Sequence, residues 1–364
     1  MGIFYTKSYG FGGNMAGRRR YGKMLDCMTN APNLAVAAPP KLIKSLRTGF
    51  DSIANHVVVI IIPIFLDLLL WLGPHVQMKK LLLDVVETIT TSPSWNSAQT
   101  GALFGENLEV VQQTALKLNL MTSLRAYPVG VPSLMAGLLP IQIPGGSPLF
   151  LDATNIWLII GLVLLLYLVG LGTGSLYFAL IAQVSAGGEI KLRQVLQDWP
   201  RAMLQVLSLT AALLIVLIVI SVPTSCIISV IAWGGISLGQ LAIFMFLGAL
   251  LWLGFPLIFT PHGIFAKHNN VLVALQNSVR LTRMTLPSTS LFFLAILVIS
   301  EGLDILWRVP AENSWLMLVG VAGHAFVTSG LLAATFVYYR DADRWVQGML
   351  AKAVRQPVNK IASV

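Results

Sequence analysis

The chain is poor in charge. Of its 364 residues only 11% are Asp, Glu, Lys or Arg, while 56% are hydrophobic. Soluble domains carry about 25% charged residues, so a fold bathed only in water is excluded. Cysteine is scarce: Cys27 precedes the first apolar run and Cys226 lies inside a later one, so no disulfide framework is expected. The five histidines fall in no HExxH pattern and the cysteines in no CxxC pattern, so neither a metal site nor a cofactor is expected. Acidic residues number 15 against 24 basic ones. That surplus is accompanied by no aromatic-interleaved basic groove and no zinc-finger spacing, so nucleic acid is not an expected partner.

What is present is apolar sequence in long runs. Six of them approach the roughly 20 residues that a bilayer-crossing helix needs: about 57–72, 156–184, 203–233, 238–259, 291–306 and 315–339. The expected fold is therefore all-α and polytopic, with six transmembrane helices in a domain over 40–345. Pro63 is expected to bend the first span, and the third is long enough to tilt or to break at Pro223. Nineteen of the 24 Lys and Arg fall on one side of this arrangement; Lys79, Lys80, Lys117, Arg125 and Arg308 fall on the other. That bias places both termini in the cytoplasm and the protein in the cell membrane. Trp71, Trp157, Trp315, Tyr338 and Tyr339 lie at span ends, where interfacial anchors are expected.

Residues 1–39 read as a disordered, basic cytoplasmic segment, and 346–364 as a cytoplasmic tail. The N-terminus lacks the apolar core and cleavage site of a secretory signal. Gly2 with Thr6 fits a myristoylation pattern, but a polytopic protein needs no lipid anchor. A start at Met15 or Met24 would remove the pattern.

Three of the spans follow a basic amphipathic stretch. Leu42, Leu46, Phe50 and Ile53 form an apolar stripe before the first span. Leu192, Val195, Leu196, Trp199 and Met203 do so before the third, and Val271, Leu275 and Val279 before the fifth. Such helices suit the membrane interface, apolar face down and cations beside anionic lipid headgroups. The expected unit, used three times, is an interfacial amphipathic helix followed by a helical hairpin. The first unit carries an insertion over 73–155, with amphipathic stretches at 75–90 and 106–126. Its remaining part, YPVGVPSLMAGLLPIQIPGGSP, is rich in Pro and Gly yet apolar, and is expected to cap the bundle or lie on the outer membrane surface.

Chemistry is thin. GISLG around Ser237 matches a nucleophile-elbow pattern, but it sits between two spans with no preceding strand. GLGTG, with Gly170 and Gly174, lies inside the second span, where a GxxxG pair predicts close helix packing. Ionisable residues within spans are costly, and four stand out: Asp67, Glu301, Asp304 and His324. In one arrangement Asp67, Glu301 and His324 form a proton- or cation-linked site. In the other, which we prefer, Asp304 pairs with Arg308, Glu301 is wetted, and Asp67 and His324 satisfy each other or a backbone group.

Ala274, Leu275, Ser278 and Arg280, in ALQNSVRLTR ahead of the fifth span, carry a resemblance. The chain resembles a broad group of bacterial polytopic membrane proteins that includes the membrane domain fused to some glycerophosphodiester phosphodiesterases. The resemblance implies no hydrolase activity, because the soluble catalytic barrel has no room in this chain. The expected function is that of a non-catalytic scaffold or subunit with a protein partner in the membrane. A transporter or channel for a small solute or lipid is the alternative, and an enzyme acting on lipid stands third.

Overall fold

The computed structural model describes residues 38–91, 117–232 and 236–361. The expectations for 1–37, including the basic N-terminus and the Gly2 pattern, and for most of 106–126 lie outside the described residues. The fold is all-α and polytopic: among the described residues five helices are long and apolar enough to cross a membrane, and six if the bent pair over 42–72 is one span. In chain order α1 is Leu42–Ala54, α2 Ile61–Leu72, α3 Lys79–Thr91, α4 Met135–Leu138, α5 Ile156–Ser185, α6 Leu192–Ala232, α7 Ile236–Gly254, α8 Thr260–Lys267, α9 Val271–Met284, α10 Leu286–Trp307 and α11 Met317–Ile361. The division of the chain at 345 is not a break in secondary structure, since α11 is helical on both sides of it.

The repeated unit is clear in its first and third copies. The chain turns by 88° between α1 and the 3-10 turn that leads into α2, and α9 ends at Thr285 before α10 begins. The second copy differs. α6 runs unbroken for 41 residues through Pro200 and Pro223, so the basic stretch before the third span is continuous with it and not a separate helix. Past Pro223, Thr224 Oγ1 donates to Ile220 O and Ser225 Oγ to Val222 O, so both hydroxyls are satisfied within the helix.

The faces of α1 and α9 also differ from a lipid-facing stripe. Ser45, Gly49 and Ile53 are the buried line of α1. Gly49 lies against the Ala334 backbone of α11, and Phe50 packs on Gly330 and Phe326. In α9 the buried line is Ala274, Ser278, Leu281 and Thr282. Both helices lay small polar residues on protein, flanked by the half-buried apolar stripe read from the sequence.

Ser278 has a definite task. The fourth span breaks at Phe255–Leu257, before Pro261 starts α8. Ser278 Oγ donates to Pro256 O at 2.7 Å and accepts from Phe259 N at 3.1 Å. Ser278→Ala should cost about 1–2 kcal/mol, because it removes the acceptor of the buried Phe259 N–H and leaves Pro256 O only the long 3.5 Å bond from Thr282 Oγ1. The check is thermal melting in detergent, and a variant melting with the parent would show that the break needs no such clamp.

The insertion is closed by a two-stranded parallel ribbon, β1 His75–Gln77 against β2 Phe150–Asp152, with His75 opposite Phe150. This corrects the helical expectation at 75: the helix starts only at Lys79. His75 is buried, its Nε2 donating to Leu70 O at 3.0 Å and its ring 5.6 Å from that of Phe150. Burial holds its pKa below the ordinary 6.5, against a weaker upward pull from the Leu70 bond. The unfolded chain therefore binds the proton more readily. The ribbon keeps its full stability above that value and loses it as pH falls through and below 6.5. Amide exchange at His75 and Ala153, whose N–H groups close the ribbon onto Leu149 O and Gln77 O, should accelerate at about pH 5.5 beyond the intrinsic rate change. His75→Gln should abolish that excess.

Three of the expected anchors are buried instead. Trp157 and Trp315 are exposed at 77% and 61%, as interfacial residues are, but Tyr338 and Tyr339 are buried. Tyr338 stacks on Phe292 at 4.2 Å and bonds with Ser288 and Thr289, so α10 claims it for the core. Trp71 is buried as well, its Nε1 donating to Glu312 O at 2.9 Å.

Candidate functional site

The segment between Leu120 and Leu138 organises the site. Leu120 starts a 3-10 turn and packs with Ile159 near the first turn of α5. Leu124 O then lies where a side chain at Gly170 would go, and Val129 O and Gly130 Cα lie where one at Gly174 would go. Gly170 and Gly174 are about 21 and 27 Å along α5 from Ile156 at 1.5 Å per residue. The chain next returns to Asp67 of α2 through Ser133, Leu134 and Met135, and to Arg308 at the end of α10 through Gly137. It is a re-entrant excursion to the middle depth of the bundle. Val129, Val131, Leu134 and Met135 are each 1% exposed or less, within the main core.

The apolar Pro/Gly segment is expected to cap the bundle or lie on the outer membrane surface; its first part, to Met135, instead enters the core, while none of 141–147 is buried. The excursion also changes the partner of the glycine pair: Gly170 and Gly174 do pack closely, but against the irregular backbone of 124–130. Non-helical backbone at membrane depth is tolerated only where protein or a wet cavity surrounds it. The bare glycine faces let α5 supply that surround.

Asp67 is fully buried on an otherwise apolar helix. Its Oδ1 accepts from Ser133 Oγ at 2.5 Å and Met135 N at 3.0 Å, and its Oδ2 from Leu134 N at 3.2 Å. Ser133 Oγ also accepts from Ala136 N at 3.1 Å, the geometry of an N-cap. Asp67 thus ties down the returning limb of the excursion.

His324 of α11 is 5% exposed and stands between two carboxylates. Its Nδ1 is 3.9 Å from Asp67 Oδ2 and its Nε2 3.6 Å from Asp304 Oδ1, both beyond hydrogen-bond length. Asp304 faces Arg308 at 3.4 Å. Arg125 lies within electrostatic reach of Asp67, Asp304 and His324. Two carboxylates and two guanidinium groups therefore balance around one imidazole.

The structure brings Asp67, Asp304 and His324 together and leaves Glu301 out. Glu301 is exposed, and among the described residues no hydrogen bond or ion pair joins it to the cluster. The cause is α10 itself, on which only Thr289 and Phe292 are buried. Most of that helix faces outward. Asp304 pairs with Arg308, and Asp67 with a hydroxyl and two backbone groups, while His324 Nδ1 is buried with no hydrogen-bond partner.

Sequence reasoning missed Arg125, Ser133 and Gly137 as members of this region. The signal was available in Ser133-Leu134-Met135-Ala136, a capping serine placed in an apolar stretch that has no use for one in lipid. Among the described residues no group of three or more His, Cys, Asp and Glu is arranged to hold a metal ion. No protein-family model, curated protein or solved structure matches the chain.

Proposed function

We propose that the chain is a non-catalytic subunit or scaffold of a membrane complex, seated in a bacterial cell membrane with both termini in the cytoplasm. The bias of Lys and Arg supports the orientation. One observation carries the role. From Leu238 to Gly254 of α7 only Gly239 is buried, and Phe244, Met245, Leu251 and Trp252 are each more than 70% exposed. The first half of α6 packs on the bundle through Val195, Val206 and Leu209, but from Ala211 to Ile231 no residue is buried, so the outer part of α6 and α7 stand with almost their whole circumference free. Lipid gives helices no hydrophobic reason to associate, so membrane bundles are held by close packing. This outer part of the hairpin gets little of it from the rest of its chain, and a second polypeptide is the occupant that supplies it.

The test is mass spectrometry of the protein extracted in native lipid patches. A second polypeptide at fixed stoichiometry is expected, and it should be lost when Phe244 and Trp252 are both changed to alanine. A lone chain would overturn the reading. The second reading, a transporter or channel for a small solute or lipid, is favoured by the re-entrant segment. Irregular backbone at mid-depth is where transport folds build their sites. A lone chain that retains a solute would favour it.

A further inference from the structure

Arg125 begins the deepest part of the re-entrant excursion, next to Leu124, whose carbonyl meets Gly170 about halfway along α5. Arginine stays charged in any protein setting and carries five N–H donors. A cation at this depth is costly unless it is paired. Asp67 and Asp304 balance its charge from a distance, but Asp67 is already saturated by three donors and Asp304 faces Arg308, so neither bonds to the guanidinium. Among the described residues the Arg125 side chain makes no hydrogen bond or ion pair. Its guanidinium carbon lies 5.7 Å from the centroid of the Tyr127 ring.

Beside it lies a cavity of about 210 Å³. One wall is the excursion, with Pro128, Val131 and Pro132; the other is Phe178 of α5 with Thr328 and Leu332 of α11. The Thr328 hydroxyl is spent on His324 O at 2.7 Å. Arg125 is thus the only charged residue lining a chamber that is otherwise almost wholly apolar. Tyr127, on the same rim, is 64% exposed, and an exposed face halfway along a membrane-crossing helix meets acyl chains, so the chamber opens toward them. Its volume suits a headgroup or a stretch of chain, and the rest of a larger molecule would leave through that opening.

We propose that this cavity binds an anionic amphiphile drawn from the bilayer, with an oxyanion head on Arg125 and an acyl chain against Pro128, Val131, Pro132, Phe178 and Leu332. A fatty-acid carboxylate and a phospholipid phosphate share that chemistry. The inference is independent of the hairpin and its partner, so either can fail alone.

The test uses the full chain in nanodiscs of phosphatidylcholine, doped in separate preparations with oleate or with phosphatidylglycerol. Native mass spectrometry reads what the protein keeps after release from the disc. One equivalent of an anionic amphiphile should be retained over phosphatidylcholine. Retention of oleate alone identifies a carboxylate site, of phosphatidylglycerol alone a phosphate site, and of both a site that reads only the charge. Arg125→Gln should cut retention about tenfold or more, with Arg125→Lys intermediate, because the charge-assisted bonds are lost in the first and reduced in the second. Leu332→Trp fills the cavity from the opposite wall without touching the charge and should cut retention as well. If Arg125→Gln does not assemble, Leu332→Trp decides alone. Retention unchanged in the assembled variants, or no preference for either anion in the parent, overturns the proposal.

Discussion

Gly174→Leu should lower the stability of the bundle by at least about 3 kcal/mol, the largest single-residue effect expected outside the ionisable cluster. A Cβ at this position would stand 2.6 Å from Val129 O and 2.7 Å from Gly130 Cα. Both are backbone atoms held by the buried limb that follows, so nothing flexible can yield. Adding the rest of a leucine side chain pushes the excursion away from α5. Its carbonyl and amide groups then meet lipid, each costing several kcal/mol if left unsatisfied. Gly161, on the same helix, is the control: a Cβ there meets nothing within 4 Å. Gly161→Leu should melt with the parent or slightly above it, since leucine favours a helix over glycine by most of about 1 kcal/mol. The expected readout is a lower melting temperature for Gly174→Leu, together with a cysteine placed at Val131 that becomes reactive to a lipid-soluble maleimide only in that variant. If the two glycine variants melt alike and Val131 stays protected, the excursion is not seated on α5.

The contrast between these two glycines marks what a linear sequence discloses here. Run length and hydropathy were enough to find the spans, because a bilayer imposes one length scale and one solvent on every helix that crosses it. The expected runs over 156–184 and 291–306 correspond to α5 and α10 within a few residues. The glycine spacing at 170 and 174 correctly signalled close approach. It did not disclose the partner, because GxxxG records only that one surface is bare. The partner is a segment whose Pro and Gly content reads as loop, and whose burial comes from α5, α2 and α11 together.

The same holds for Tyr338 and Tyr339. A position near a span end predicts an anchor only if the helix face there looks at lipid, and neighbouring helices decide that. At the ionisable cluster the sequence named Asp67, Asp304 and His324 from the cost of burying charge, which is a local argument. It included Glu301 for the same reason, and could not see that α10 turns most of its surface outward. Ser133 and Arg125 were invisible to that argument because they lie outside every span in sequence, and only the excursion carries them inward.

Asp67→Asn puts the role of the cluster to the test, and the expected result is loss of the folded protein. The Asp67 carboxylate receives three donors on two oxygens: Ser133 Oγ and Met135 N on Oδ1, Leu134 N on Oδ2. Asparagine keeps one acceptor oxygen and turns the other into an NH2 group, a donor pointed at donors. Whichever way the amide is turned, at least one backbone N–H is left buried and opposed. Hydrogen bonds to a charged acceptor contribute about 1.5–3 kcal/mol each, and an unsatisfied buried group adds its own penalty, so the loss should reach about 3–5 kcal/mol. Ser133→Ala removes one donor and leaves the two backbone bonds, and should cost about 1–2 kcal/mol. The double variant should cost less than the sum of the singles, since both act on one contact. His324→Gln should be milder than Asp67→Asn, because the imidazole sits 3.6 and 3.9 Å from its acidic neighbours and bonds to neither. Detergent melting and yield in the membrane fraction measure all four variants. An Asp67→Asn protein that accumulates and melts like the parent would show that the carboxylate is not what holds the excursion in place. Loss of a transport activity in that well-folded variant would shift the case to the proton- or cation-linked arrangement.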